Sequence, residues 1–145
     1  MAREYITEVS GRVLSEVDTS QNLTRGEVYA GGRHVATYAN GTTTFAHTDW
    51  LGNERARTSV SGAVVETCYS LPFGDGLSCS GPDVSPLHFT GKPRDPETNL
   101  DYFGARYNSS SMGRFMTPDW SAKAVPVPYV KLDDPQSLNL YSYVA

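Results

Sequence analysis

The chain has 145 residues, a formal net charge of −4 and 39% hydrophobic residues. This length suits one folded domain with its own core, so residues 1–145 are predicted to form a single domain. The acidic balance argues against binding to nucleic acid, which needs a basic surface. The sequence has no apolar run of roughly 18 residues that would span a membrane, and its N-terminus does not resemble a secretion signal.

Turn signals recur about every ten residues between positions 5 and 80, a spacing typical of short antiparallel strands joined by hairpins. Asn40-Gly41 is the strongest of them, because both central residues of a tight hairpin need a positive φ. Because the repeats begin close to Met1, we expect the chain to be a piece of a longer protein. The other turn signals are Gly11-Arg12, Gly32-Arg33, Gly52-Asn53, Ser61-Gly62 and Gly74-Asp75-Gly76.

The segments between these turns are rich in β-branched and aromatic residues, as strands are. In residues 64–69, strand alternation places Val65, Thr67 and Tyr69 on one face and Val64, Glu66 and Cys68 on the other. No long stretch has the apolar 3.6-residue period of an amphipathic helix. The sequence therefore predicts an all-β fold of antiparallel hairpins with little helix.

Cys68 and Cys79 are the only cysteines of the chain. A disulfide between them would close a short loop and stabilise the fold by roughly 2–3 kcal/mol. Two buried thiols are the alternative, and the sequence leaves both open. Companion histidines at the spacing of a zinc site are missing, so we expect no metal and no cofactor.

Residues 88–120 are dense in aromatic residues and arginines, with Gly, Pro and Asn between them. This turn-rich core segment is followed by residues 121–145. There the alternating Pro and Val of 124–129 predict an extended chain, and 133–141 predict a short helix. Ser109-Ser110-Ser111 is predicted to cap a single helical turn.

Several of these elements together resemble the RHS-repeat-associated core domain of RHS/YD-repeat proteins. Tyr29 to Val35, with Gly32-Arg33, is similar to the YD repeat, and residues 89–119 are similar to the core signature. The resemblance implies β-hairpins coiled into a curved sheet or partial shell that encloses a C-terminal toxin. It also implies an exported bacterial protein that acts outside the cell or at its surface. The residues with an implied structural role are Asp101, Tyr102, Gly104, Arg106, Tyr107, Gly113, Arg114, Phe115, Pro118 and Asp119.

We expect no catalytic residues and no enzymatic activity. His47 and Asp49 would share a strand face, and His47 is predicted to be a hydrogen-bonded structural residue. No Gly-x-Ser-x-Gly elbow is present. The resemblance raises aspartyl self-cleavage as an alternative, but Ser137 stands where the cleavage motif Asp-Pro-x-Gly has its glycine. Asp101 and Asp119 are instead predicted to pair with Arg106 or Arg114.

A structural role is therefore the first hypothesis for this chain. Open strand edges would let it pair with other RHS segments or with its own copies, giving a homo-oligomer or a filament. A carbohydrate-binding or adhesion module is a further alternative, in which Trp50 and Trp120 would stack on sugar rings.

Overall fold

The computed structural model describes residues 3–82, 85–119, 131 and 133–143. Eight strands of the N-terminal half form one antiparallel sheet in chain order, β1 to β8, and β11, β10 and β9 form a second, three-stranded sheet. The strands are β1 Arg3–Thr7, β2 Val13–Asp18, β3 Leu23–Ala30, β4 Arg33–Ala39, β5 Thr42–Thr48, β6 Glu54–Ser59, β7 Val64–Tyr69, β8 Ser78–Ser80, β9 Leu100–Tyr102, β10 Tyr107–Ser109 and β11 Arg114–Phe115.

The predicted all-β class is confirmed, since the described residues contain no α-helix. Their only helical turns are 3₁₀, at Pro72–Gly74, Phe89–Gly91 and Pro135–Leu138. The large sheet is open, with β1 at one edge and β8 at the other. No helix in the described part of the chain is long and apolar enough to cross a membrane.

Two kinds of short loop join strands β1 to β7 of this sheet, while the longer connection from β7 to β8 contains the 3₁₀ turn Pro72–Gly74. Residues 31–32 and 40–41 are two-residue loops with a positive φ at both positions, 52° at Asn40 and 78° at Gly41. Such loops twist the backbone in the same sense as the strands they join. The prediction made from Asn40-Gly41 is therefore confirmed, for the physical reason on which it rested.

The other kind is a three-residue loop that ends in a residue with a positive φ. It occurs between β1 and β2, β2 and β3, β5 and β6, and β6 and β7. Each time the residue before the loop donates its N–H to the carbonyl of the residue after the loop, and its own carbonyl accepts from the N–H of the last loop residue. The last loop residue is Gly11, Gly52 or Gly62 in three of them and Gln21, with a φ of 63°, in the fourth. The register of these strand pairs shifts by one residue close to the loop.

Alternation along β7 differs from the prediction at one residue. Glu66 and Cys68 are buried on one face, whereas Val65, Thr67 and Tyr69 are exposed, as strand alternation predicts. Val64 is predicted to share the face of Glu66 and Cys68 but is 65% exposed. The register shift between Arg57 and Thr58 is the cause, because it pairs Val64 with Thr58 and turns its side chain outward.

Three predictions concern the C-terminal part, and one of them is wrong, one is confirmed and one falls outside the described residues. Residues 109–111 do not cap a helical turn; Ser109 ends β10 and Gly113 N–H bonds to Ser110 O at 3.2 Å in the turn to β11. The short helix predicted within 133–141 is the 3₁₀ turn Pro135–Leu138, where Asp134 accepts a hydrogen bond from Gln136 N–H. The extended segment predicted at 124–129 lies outside the described residues.

Candidate functional site

One face of the large sheet carries a row of polar side chains, which we call the inner row. The strand register brings its members side by side: Glu16 with Arg25, Glu27 with Thr37, Thr37 with Thr44, Arg57 with Glu66, and Cys68 with Cys79. Residues 85–91 cover this face, where Ser85, Leu87, His88 and Phe89 are buried. The core of the molecule therefore lies between the sheet and this covering segment, and much of it is charged.

Arg57 occupies the middle of the inner row and is completely buried. Its guanidinium donates from two nitrogens to the Glu54 carboxylate and from Nη1 to Thr37 Oγ1 at 3.0 Å. Glu66 lies opposite, with Oε1 3.8 Å from Arg57 Nε. Burial raises the pKa of Glu54 above its ordinary value, although the positive charge of Arg57 opposes this rise. One buried cation thus holds two buried carboxylates.

Glu27 forms a second centre in the same row, and four side chains converge on its carboxylate. His34 Nε2 and Thr37 Oγ1 both lie 2.7 Å from Glu27 Oε2, and Arg25 Nε lies 3.0 Å from Oε1. Ser85 of the covering segment reaches Oε1 at 3.4 Å. Since Thr37 also bonds to Arg57, the two centres form one connected network that fastens the covering segment to the sheet.

The row ends at the edge strand β8, where Cys68 and Cys79 form a disulfide. The two cysteines lie directly opposite each other on β7 and β8. His88 of the covering segment adjoins them, so that its ring nitrogen and both Sγ atoms all lie within 4.8 Å of one another. Sequence spacing does not indicate this approach, because it depends on how the covering segment crosses the sheet.

The core segment is held by a buried ion pair that differs from the predicted one. Asp101 is completely buried and pairs with Arg94, whose Nε and Nη2 donate to its two oxygens at 2.8 and 3.0 Å. The prediction that Asp101 pairs with Arg106 or Arg114 is therefore wrong. The same Arg94 donates to the backbone oxygen of Gly74 at 3.0 Å, which links the core segment to the connection between β7 and β8.

An aromatic cluster fills the space beside this ion pair. It consists of Phe73, Phe89, Phe103, Phe115 and Tyr143, with ring centroids 5.3–6.4 Å apart. The Arg106 guanidinium lies 3.7 Å from the ring centroid of Phe115, and its Nη2 lies 3.1 Å from Asp119 Oδ2. The pairing predicted for Asp119 with Arg106 is thus present.

The remaining signature residues lie around this cluster. Tyr102 and Tyr107 are opposite on β9 and β10, with ring centroids 5.2 Å apart. Gly104 and Gly113 both have a positive φ, and at Gly113 a Cβ would lie 2.9 Å from the Phe73 ring. A side chain at Gly113 would therefore displace an aromatic ring. Arg114 is exposed and Pro118 half-buried.

The structural hydrogen bond predicted for His47 is present, with Thr58 as the partner. His47 Nε2 lies 2.9 Å from Thr58 Oγ1, whereas Asp49 follows the strand and accepts hydrogen bonds from the loop residues Leu51 and Asn53 and from Arg55. Burial alone would raise the pKa of Asp49, but the hydrogen bonds, first those from Asn53, outweigh it and lower the pKa. Asp49 therefore organises a hairpin loop.

Of the two tryptophans predicted to stack on sugar rings, the structure describes only Trp50. Trp50 is 81% exposed in the loop between β5 and β6. Trp120 lies outside the described residues.

No protein-family model matches the chain. Over 100 residues it is 28% identical to Teneurin-m of Drosophila melanogaster, in a match that covers 68% of this chain and 4% of that protein. Several solved structures contain a segment of the same fold. The Tc holotoxin pore of Photorhabdus luminescens matches 97% of this chain over 9% of its own chain, with 14% identity and a TM-score of 0.56.

Crystal structures of TcdB2-TccC3 match in the same way. The form without the hypervariable C-terminal region has 17% identity and a TM-score of 0.60, over 97% of this chain and 8% of that one. The chain described here thus spans less than a tenth of each of these relatives. At these identities the likeness concerns the fold alone: this chain folds like a short segment of those much longer proteins.

Proposed function

We propose that this chain is a non-catalytic wall segment of an RHS-type shell. The observation that carries the proposal is the architecture itself, an open antiparallel sheet of hairpins whose polar inner row is covered by residues 85–91. The fold shared with short segments of the Tc holotoxin and TcdB2-TccC3 chains supports it. In RHS proteins such hairpins build the wall of a container for a C-terminal toxin, and this segment would contribute one part of that wall outside the cell.

The edge strand β1 is the surface through which the segment would join its neighbours. All five residues of β1 are exposed, and the strand pairs only with β2 among the described strands. A free edge offers unpaired backbone groups to any further strand. We infer that another RHS hairpin pairs with β1 in a longer chain and that a second copy does so when the chain is isolated.

The carboxylates considered for self-cleavage support a structural role. Aspartyl chemistry needs two carboxyl groups that share one proton. Asp101 is instead bound by Arg94, Asp119 by Arg106, and Asp134 accepts a hydrogen bond from the backbone of Gln136. We therefore propose that the chain has no protease activity.

Light scattering coupled to size-exclusion chromatography over a concentration series tests this function. We expect the average mass to rise with concentration toward that of a dimer, because pairing of β1 with β1 closes the assembly. Electron microscopy of the largest species distinguishes this dimer from a filament. Intact-mass measurement of the same samples is expected to give the full, uncut chain. A monomer at every concentration contradicts self-association, and fragments ending near Asp119 or Asp134 contradict the absence of self-cleavage.

Carbohydrate adhesion is the second candidate, and the exposure of Trp50 is the observation that favours it. An exposed indole on a loop can stack on a sugar ring. Binding to a glycan array that Trp50→Ala abolishes would support adhesion, whereas binding unchanged in this variant would exclude Trp50 as the contact.

A further inference from the structure

We propose that reduction of the Cys68–Cys79 disulfide turns these two residues, together with His88, into a zinc site. Their ligand atoms already lie within 4.8 Å of one another. Zinc binds sulfur at about 2.3 Å and imidazole nitrogen at about 2.0 Å, so that two ligands of one ion lie roughly 3–4.5 Å apart. Once the sulfur–sulfur bond is broken, small side-chain rotations suffice to place all three atoms around one ion.

A fourth ligand would come from Glu66 or Glu54, which form a separate group around the same Cys68 sulfur. Glu66 Oε1 lies 3.3 Å from Cys68 Sγ, and the carboxylates of Glu66 and Glu54 lie within 4.8 Å of that sulfur and of each other. Structural zinc sites have four ligands in a tetrahedron, and carboxylate oxygen is an accepted member. Two thiolates and an imidazole favour zinc over magnesium and calcium, which prefer oxygen ligands.

The backbone holds these ligands in place before any metal arrives. Cys68 and Cys79 are directly opposed on paired strands, and His88 is 5% exposed beneath the sheet. The backbone of the covering segment at His88 and just after it is hydrogen-bonded to β6 and to the loop before β6. Glu54 N–H bonds to His88 O at 3.4 Å, and Thr90 N–H bonds to Asn53 Oδ1 at 2.8 Å. The ligand set is thus assembled from three parts of the chain by the fold.

The proposed reaction has two steps, reduction of the disulfide by a dithiol and binding of zinc to the thiols that result. A dithiol reductant gives two electrons and two protons to the disulfide, becomes a disulfide itself, and leaves Cys68 and Cys79 as thiols. Zinc then displaces both thiol protons, so that two thiolates neutralise its charge. Arg57, with Nε 3.8 Å from Glu66 Oε1, offsets the remaining carboxylate. Under reducing conditions the metal would thus fasten β8 and the covering segment, as the disulfide fastens β8 under oxidising ones.

Metal titration of the reduced chain tests the proposal. After anaerobic reduction and removal of the reductant, we expect one zinc ion per chain, measured by competition with a chromogenic chelator. Cobalt in the same site is expected to give the visible absorption of a tetrahedral thiolate complex. The oxidised chain is expected to bind neither ion at this site.

Variants distinguish the loss of a zinc ligand from a general disturbance of the fold. His88→Ala is expected to keep the disulfide when oxidised and to weaken zinc binding of the reduced chain by at least about tenfold. His88→Cys is expected to restore tight binding with stronger sulfur-to-cobalt absorption. His47→Ala is the matched control, because His47 is exposed and lies on the other face of the sheet, and it should bind as the unmodified chain does.

Two results would overturn the proposal. The first is zinc binding by the reduced chain that is no tighter than that of the Cys68→Ser, Cys79→Ser double variant. The second is a His88→Ala chain that forms the disulfide normally and yet binds zinc as tightly as the unmodified chain. That result would mean that the thiols bind the ion without His88.

Discussion

Arg57 shows at the scale of one residue how this fold uses charge inside its core. It is fully buried, contacts Glu54, Glu66, Thr37 and Thr44, and so joins side chains from four strands. A buried ion pair is weak evidence for stability in itself, but removal of one partner leaves the other charges buried without compensation. Substitution of Arg57 is therefore expected to lower the stability of the fold strongly.

We predict that Arg57→Met lowers the free energy of unfolding by about 3–5 kcal/mol. The side chain keeps much of its volume, while Glu54 and Glu66 lose their cation. Urea unfolding at neutral pH measures the change, and Arg33→Met, at an exposed arginine, is expected to stay within about 0.5 kcal/mol of the unmodified chain. Adding Glu54→Gln to Arg57→Met should recover part of the loss, because one uncompensated charge is removed. A loss below about 1 kcal/mol in Arg57→Met would show that the network contributes little.

Hairpins are the elements of this molecule, and their loops influence the register of the strands. Pairing across Asn40-Gly41 is regular, whereas a one-residue shift accompanies each three-residue loop and also occurs in β3 near the two-residue loop at 31–32. Such a shift decides which side of the sheet a residue faces, as Val64 illustrates. The recurrence of one loop geometry at four places allows residues at equivalent positions to be compared directly.

Gln21 occupies the loop position that is glycine in the three equivalent hairpins, and its φ of 63° is unfavourable for a residue with a Cβ. We predict that Gln21→Gly raises the free energy of unfolding by up to about 1 kcal/mol, since the backbone strain is relieved. Thermal or urea unfolding measures it. Gln21→Ala is the matched control, because both variants lose the hydrogen bond from Gln21 Nε2 to Glu4 at 3.1 Å. If the two variants are equally stable, the strain at this position is negligible.

At the scale of the whole molecule, the two edges of the large sheet differ. β8 has three residues and is tied to β7 by the disulfide, which restricts pairing there. β1 has five exposed residues and lies at the opposite edge. Of the two edges of the large sheet, β1 is therefore the one suited to pairing, and association between copies through β1 on both sides would give a closed dimer.

We predict that Ile6→Lys, on β1, abolishes the concentration-dependent rise in mass, because a charged residue on an edge strand opposes pairing. Val60→Lys removes an exposed apolar residue from the loop between β6 and β7 and should leave association unchanged. Ile6 is 53% and Val60 75% exposed, so neither variant disturbs the core. Light scattering at matched concentrations measures both. Equal association of the two variants would place the contact away from β1.

The sequence by itself determined the local structure of this protein. Turn residues at regular spacing and β-branched segments between them sufficed for the hairpins, because a tight loop imposes its backbone requirement on two or three adjacent residues. Alternation also predicted the two faces of β7 correctly, apart from Val64. These features depend on residues that are neighbours in the chain, and the sequence therefore suffices to predict them.

Only the tertiary structure decided which face became the interior and which distant groups meet there. Alternation assigns side chains to a face, but the covering segment determines that the face with Glu16, Glu27, Arg57 and Glu66 is the buried one. The same docking brings His88 to the disulfide. Such contacts depend on the path of the chain between elements, which local propensity and spacing do not encode.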